Sequence, residues 1–498
     1  MDFLENIWPP PQEVNLIKTT GFNIPQQVLL KGMFSEEFAQ EFSSQSNIRY
    51  TSTDSDIFPV EMKIDTALEK REYYILEMNE HGIFITGSDD AGVYYGQQTL
   101  LQIVFNAGRT KFWPSLIIKD YPAYRKRGFM VDMGRSIFKI EMLKLIVKIL
   151  ARLKMNQLHL HLYDDELCGI KFDGHKFGAD NPFAISIKEL ATLVKFAAKY
   201  HVEIVPELES WAHIGSLIYH RPELRGGSGV YNGSSFLFCN KTFELMKDLI
   251  GQVVKAMPAK ATIHLGLDEA KFFVGNDMPK DFTPEKMVRR YYDILHEIGA
   301  EQNKELRMRI WADHEGRPIP KEIEKYVIVE PWAYWMAQKT KIAKDIIKYS
   351  QTGSPWMIGA GESMGQYRGA YHATRYWCKN AAECSNLEGV NITFWGRNDL
   401  DNHFISLFAG AAFIWNPFSK PELTDTDDYE IFDRAIFPIM QRWQTYFRDA
   451  FPDNISQKRG ACVYNGFYWF GHKHGQPISQ SVIKAGTINQ HDFLSEGN

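Results

Sequence analysis

The sequence predicts an α/β chain built around a (β/α)8 TIM barrel, with a small α/β domain before it and a mostly helical extension after it. Three observations carry that expectation. Eight short apolar runs alternate with helical patterns across the middle of the chain. The length, 498 residues, suits a large barrel with attachments rather than one ordinary domain. Carboxylates and tryptophans gather where the apolar runs end, which is the face on which barrels of this kind carry their sites.

The first domain is expected over residues 1–121. Tyr73–Glu77 and Ile83–Thr86 read as strands joined by a turn at Asn79–Gly82. Gly92–Val104 places Val93, Leu100, Leu101 and Val104 at helical spacing, and Leu116–Ile118 is a further strand ending at Asp120-Tyr121-Pro122. The barrel is expected over 122–420, with strands at Arg127–Met133, Gln157–Tyr163, Val202–Leu208, Thr262–Leu267, Met308–Ala312, Val327–Trp332, Trp356–Gly359 and Asn391–Trp395. Between the first two, Met142–Leu153 sets Lys144, Lys148 and Arg152 on a polar stripe opposite Leu145, Ile146, Ile149 and Leu153. Ser186 with Glu189 forms a capping box, and Thr283-Pro284 supplies a cap followed by an N1 proline. A doubly wound open sheet is the structural alternative, but no glycine-rich nucleotide fingerprint follows the first strand. The extension, 421–498, looks helical over 429–447 and irregular afterwards.

Composition narrows the function. The chain is 44% hydrophobic and 23% charged, with net charge −5, so no overall positive field draws it to nucleic acid. Aromatics make up 14%, which suits sugar stacking and a large core equally. The five cysteines, Cys168, Cys239, Cys378, Cys384 and Cys462, match no metal spacing and read as reduced thiols. Met1–Pro11 carries acids and three prolines without a basic segment or apolar core, so neither a signal peptide nor a membrane span is expected, and the location is expected to be cytoplasmic.

The strand ends collect the chemistry. They offer Asp132 and Arg135; Asp164, Asp165 and Glu166; Glu207, Glu209, Trp211 and His213; Asp268 and Glu269; Trp311, Asp313 and His314; Glu330, Trp332 and Tyr334; Glu362 and Tyr367; and Trp395, Arg397, Asn398 and Asp399. Loops are polar everywhere, but that does not explain a tryptophan at four of these ends. The sharpest element is Asp268-Glu269, two acids closing an apolar run. Adjacent strand residues point to opposite faces, so both can reach one ligand only where the chain turns. Paired acids also repel, so one of them is expected to hold its proton near neutral pH. Glycoside cleavage needs such a pair, one group to protonate the leaving oxygen and another to stabilise the developing cation.

Three stretches carry a resemblance. Arg127-Gly128-Phe129-Met130-Val131-Asp132-Met133-Gly134-Arg135, then Lys154–Asp165 with its His159-Leu160-His161-Leu162-Tyr163-Asp164-Asp165, then His264-Leu265-Gly266-Leu267-Asp268-Glu269, resemble the catalytic domain of glycoside hydrolase family 20, the β-N-acetylhexosaminidases. Gly92–Leu100 looks like the small α/β domain that precedes the family's barrel.

The resemblance implies an exo-acting, retaining enzyme in which the substrate's own 2-acetamido oxygen attacks the anomeric carbon, with no metal or organic cofactor. It matches Asp268 to the acid that orients the acetamido group and Glu269 to the general acid/base. Arg135 matches the arginine on the sugar's 3- and 4-hydroxyls, and Asp164 with His213 matches the pair supporting the acid/base. Trp311, Trp332 and Trp395 match the aromatic walls, and Tyr367, with Tyr334 as second choice, the tyrosine on the acetamido oxygen. Two departures stand out. Arg397-Asn398 follows Trp395-Gly396 where many members have Glu, and Glu166-Leu167-Cys168 stands where Gln-Gly-Trp is common. Arg397 therefore bears on glucosaminide versus galactosaminide preference.

Two other functions compete. His159 and His161 could hold zinc in a metal-dependent amidohydrolase-like barrel, but the further ligands such a site needs are missing at the fourth and sixth strand ends, so both are expected to be packed and hydrogen-bonded. A non-catalytic sugar-binding barrel should have lost its acid/base, yet Asp268 and Glu269 are intact. The expected partner is a carbohydrate, with no nucleic acid and no membrane; a homodimer through the extension stays open.

Overall fold

The computed structural model describes residues 7–53, 57–107, 112–136, 138–179, 181–228, 234–312, 319–363, 370–395 and 400–419. The expected extension over 421–498, Cys462, Asp313, His314, Tyr367 and Arg397 lie outside the described residues. The chain divides into two compact units. Among the described residues, one holds those up to Arg125, with Arg152–Lys154 and residues 411–419, and the other holds the remainder.

The first unit centres on a seven-stranded sheet in the order Glu13–Leu16, Leu116–Asp120, Tyr74–Asn79, Gly82–Gly87, Phe58–Ile64, Gln27–Gly32, Arg49–Thr51. The expected turn is a hairpin in which Asn79 pairs with Gly82. The expected helix runs Asp90–Ala107, and its Val93, Leu100, Leu101 and Val104 pack with Leu76, Met78, Ile83 and Ile85 in one apolar core. Arg152, expected on a polar outer stripe, is instead buried and paired with Glu41, because an acid is there to receive it.

The second unit is a closed barrel of eight parallel strands in sequence order: β1 Lys126–Asp132, β2 Gln157–His161, β3 Glu203–Glu207, β4 Lys260–His264, β5 Glu305–Ala312, β6 Val327–Pro331, β7 Trp356–Ser363 and β8 Leu387–Trp395. Strands β2 and β6 are buried at every residue, as expected for a parallel sheet covered on both faces. Among the described residues, helices follow seven of the eight strands: α1 Ile140–Arg152, α2 Ile187–Ala198, α3 Asn240–Ala256, α4 Pro284–Glu301, α5 Lys339–Ser350, α6 Ala370–Ala381 and α7 Leu400–Trp415. The capping box opens α2, where Ser186 Oγ accepts from the Glu189 N–H and Glu189 accepts from the Ser186 N–H. Thr283 caps α4 through the Lys286 N–H at 3.3 Å. Among the described residues the alternation fails once: between β5 and β6 they hold only a 3₁₀ turn, Glu324–Tyr326.

The pairing register places a charged layer across the barrel. Asp132 pairs with His161, His161 with Glu207, Glu207 with His264, and His264 with Arg309. Five neighbouring strands thus present titratable side chains at one level, all buried. Deeper in the layer Arg309 Nε donates to Glu330 Oε2 at 2.5 Å, and Asn391 Nδ2 donates to Glu330 Oε1 at 3.0 Å. Burial resists the Glu330 charge, but Arg309 and His264 outweigh it and hold its carboxyl below the usual range. Arg309→Met would leave that carboxylate buried without its cation. We expect a loss of about 3–5 kcal/mol in denaturant unfolding, whereas Arg289→Met, at an exposed Asp293–Glu322 pairing, should change stability by no more than about 1 kcal/mol.

Candidate active site

The site forms where β1 to β4 hand over to their loops. After β1 a tight turn carries Arg135 back over the barrel. Gly134 makes this possible, since a Cβ there would meet the Asp164 Cβ at 2.4 Å. The guanidinium lies against three carboxylates: Nη1 donates to Asp132 at 2.8 Å, Nη2 meets Asp164 Oδ2 at 2.7 Å, and Nε lies 3.4 Å from Glu166. Burial disfavours its charge, but these acids overcome that and raise its pKa. Glu166, one of the departures from the family pattern, is thus part of the arginine's setting.

Asp164 is shared. Its Oδ2 also accepts from His161 Nε2 at 2.8 Å, and its Oδ1 lies 3.5 Å from His213 Nδ1. Asp165 Oδ2 is 3.4 Å from the same nitrogen, while Asp165 Oδ1 accepts the Gly215 and Ser234 N–H groups at 2.9 Å. Burial pushes Asp164 toward its neutral form, yet Arg135 and His213 hold it well below the ordinary carboxylate range. His213 likewise is opposed by burial and raised well above its usual value by Asp164, Asp165 and Glu269. Its other nitrogen, Nε2, lies 3.4 Å from Glu269 Oε2 and 3.9 Å from Asp268 Oδ2.

The acid pair stands on an unusual turn. The strand expected to run to Leu267 ends at His264, because the next residues leave the ladder: Gly266 has φ 62°, Leu267 φ 76° and Glu269 φ 45°. Left-handed backbone at two non-glycine residues costs on the order of 1–3 kcal/mol each, and such strain clusters at functional sites. The turn lets both side chains approach His213. Glu269 keeps 18% of its side chain in contact with solvent.

Beneath the pair sits a hub that sequence reasoning did not assign. Glu207 Oε2 meets His161 Nδ1 at 2.8 Å and His159 Nε2 at 3.0 Å; Glu207 Oε1 meets His264 Nδ1 at 3.1 Å and accepts from Trp311 Nε1 at 2.5 Å. Burial alone would protonate it, but His264, His161 and His159 hold it well below the usual range. The two histidines of β2 differ in state. Burial drives His159 down to about 4, so it is neutral, while Glu207, Asp164 and Asp132 outweigh burial at His161 and keep it charged. The signal available in the sequence was Glu207 closing a buried strand beside two histidines that needed partners. His159, Glu207 and His264 bring ligand-type atoms within 4.8 Å of one another, as do His213, Asp268 and Glu269. Around Glu207 the His–carboxylate contacts are at hydrogen-bond distance and the next group is an indole N–H, which is a donor and not a ligand.

The aromatic residues divide. Trp395 is partly exposed, donates from Nε1 to the Tyr334 hydroxyl at 2.9 Å, and has Arg135 over its ring at 5.7 Å. Trp332, also partly exposed, stacks on Tyr334 at 5.3 Å. Trp311 is only 1% exposed and lies between His264 and Trp395, so it backs the cluster rather than opening to solvent. Trp211 turns away altogether, into Phe238 and Phe272, with its N–H on the Lys271 carbonyl. Tyr367 and Arg397 lie outside the described residues.

Known proteins are similar to this chain along most of its length. The model of the glycosyl hydrolase family 20 catalytic domain matches residues 124–348, and that of the family's domain 2 matches residues 5–121. A β-hexosaminidase of Porphyromonas gingivalis is 26% identical over 239 residues, covering 41% of this chain and 30% of that protein. A β-N-acetylhexosaminidase of Cellulomonas fimi is 28% identical over 223 residues, covering 40% and 44%. The matches thus span less than half the length of these curated relatives. Among solved structures, a Flavobacterium johnsoniae chitobiase has a TM-score of 0.70 at 19% identity, covering 89% of this chain and 73% of that one. A Bacteroides fragilis β-N-acetylhexosaminidase has a TM-score of 0.66 at 18% identity, covering 89% and 96%. The two family models follow one another along the chain, one over the strands of the small sheet and the other from the start of the barrel into its fifth helix. This chain belongs to glycoside hydrolase family 20.

Proposed function

We propose that the protein is an exo-β-N-acetylhexosaminidase that releases terminal β-linked N-acetylglucosamine or N-acetylgalactosamine with retention, through attack by the substrate's own acetamido oxygen. One observation carries this reading. Asp268 and Glu269 leave the end of β4 side by side on a left-handed turn, and both acids approach the same charged imidazole, His213. In this mechanism Asp268 orients the acetamido N–H and balances the positive charge of the oxazolinium intermediate. Glu269 gives its proton to the leaving oxygen and takes one from the incoming water. His213, anchored by Asp164 and Asp165, fixes the acid/base. Arg135 binds the outer sugar hydroxyls, and Trp332, Trp395 and Tyr334 enclose the acetamido group and the ring face.

The names of the relatives, β-hexosaminidase and chitobiase, support the same substrate class. Free thiols at Cys168, Cys239, Cys378 and Cys384 support a reducing, cytoplasmic setting; no described helix is long and apolar enough to cross a membrane. A side-by-side assay tests the reaction. Aryl β-N-acetylglucosaminide should be hydrolysed at least about a thousandfold faster than the aryl β-glucoside, because the nucleophile is missing from the latter. Comparable rates would overturn acetamido participation.

A further inference from the structure

Glu209 is a buried acid that the proposed mechanism does not use. It follows β3 by two residues and its side chain is shut off from solvent. Neither carboxyl oxygen has a hydrogen-bond partner. The nearest cation, His161 Nδ1, is 3.9 Å away and already bonded to Glu207 at 2.8 Å. Its Oε2 fills the space over Gly266 so closely that a Cβ there would come within 2.0 Å, and Gly266 opens the turn carrying Asp268 and Glu269. Burial disfavours a bare carboxylate in such a place and favours the proton-bearing form.

We infer that Glu209 is a positioning residue, a proton-bearing acid wedged beneath the Gly266 turn that lets the neighbouring Asp268 remain the charged member of the pair. The inference rests on the role proposed above for Asp268. The groups facing Glu209 agree with it. Burial is the main opposition to a second negative charge there, and Asp268 from the β4 loop and Glu207 from β3 add to it. His161 from β2 and His213 after β3 act the other way but are engaged by Glu207, Asp164 and Asp165. Tyr163 donates to the Glu209 backbone carbonyl at 2.9 Å, leaving the carboxyl to face these groups. An ionised Glu209 would repel Asp268 and drive a proton onto it, removing the charge that balances the cation.

Infrared spectroscopy of the full chain tests this without any substrate. Wild type near neutral pH should show a protonated-carboxyl stretch that disappears in Glu209→Gln and that is lost from wild type on raising the pH. Kinetics supply the second arm. Glu209→Gln, neutral at every pH, should keep kcat within about threefold and hold it further into alkali than wild type does. Glu209→Leu should lower kcat by about tenfold or more while KM changes little. No protonated-carboxyl band in wild type, or a Glu209→Gln variant as impaired as Glu209→Leu, overturns the inference. If neither variant folds, Glu269→Gln, which lacks the other acid that the mechanism needs protonated, should still show the band, and its absence there overturns the inference. Absence of hydrolysis in wild type would refute the proposed function and leave the infrared result standing.

Discussion

Glu269→Gln should reduce kcat/KM on substrates with poor leaving groups by about 10²–10⁴-fold, the usual contribution of a positioned general acid. The amide keeps the shape of the side chain and its contact with His213 but has no proton to give. The loss should therefore shrink as the leaving group improves. A nitrophenolate departs with little help, so its glycoside should retain far more of the wild-type rate than an N-acetylglucosamine disaccharide. A series of aryl leaving groups, plotted as log rate against leaving-group pKa, should be markedly steeper for the variant. Equal slopes would remove Glu269 from the protonation step.

Asp268→Asn should act on the other half of the reaction. Its expected cost is about 10²–10³-fold in kcat, comparable to removing one preorganised group that stabilises a transition-state charge. Because the deficit lies in balancing the cation, no improvement of the leaving group should restore it, and this independence separates it from the Glu269 variant. Near-wild-type turnover in Asp268→Asn would contradict the role given to the residue.

Much of this was legible from residues alone. The barrel followed from apolar runs of strand length alternating with helical patterns, and the resulting strand ends brought Asp132, Asp164, His213, Asp268 and Glu269 to one mouth. Local chemistry also showed: the Ser186–Glu189 box and the Thr283 cap need only neighbours in sequence. What sequence did not reveal depends on pairing across strands. Nothing in β3 alone says that Glu207 receives three histidines and an indole from β2, β4 and β5, because register is set by the closed barrel. The early end of β4 was hidden too. Leu267 is an apolar residue that extends the strand pattern, and only the left-handed backbone at Gly266, Leu267 and Glu269 breaks it. Tryptophans mislead for a related reason. Trp211 and Trp311 share the strand-end positions of Trp332 and Trp395, but the packing around each decides whether its ring meets solvent or core.

The belt of Asp132, His161, Glu207, His264 and Arg309 has one more consequence. The apolar residues of these strands could exchange partners with little loss, since Leu158 and Leu160 or Val205 and Ile204 present similar surfaces. Sliding one strand by a residue would instead turn its charged member toward the outer helices, and sliding β1 or β3 by two would put Met130 or Val205 in the place of Asp132 or Glu207. The belt thus acts as a vernier for barrel closure, admitting a single alignment of five staves.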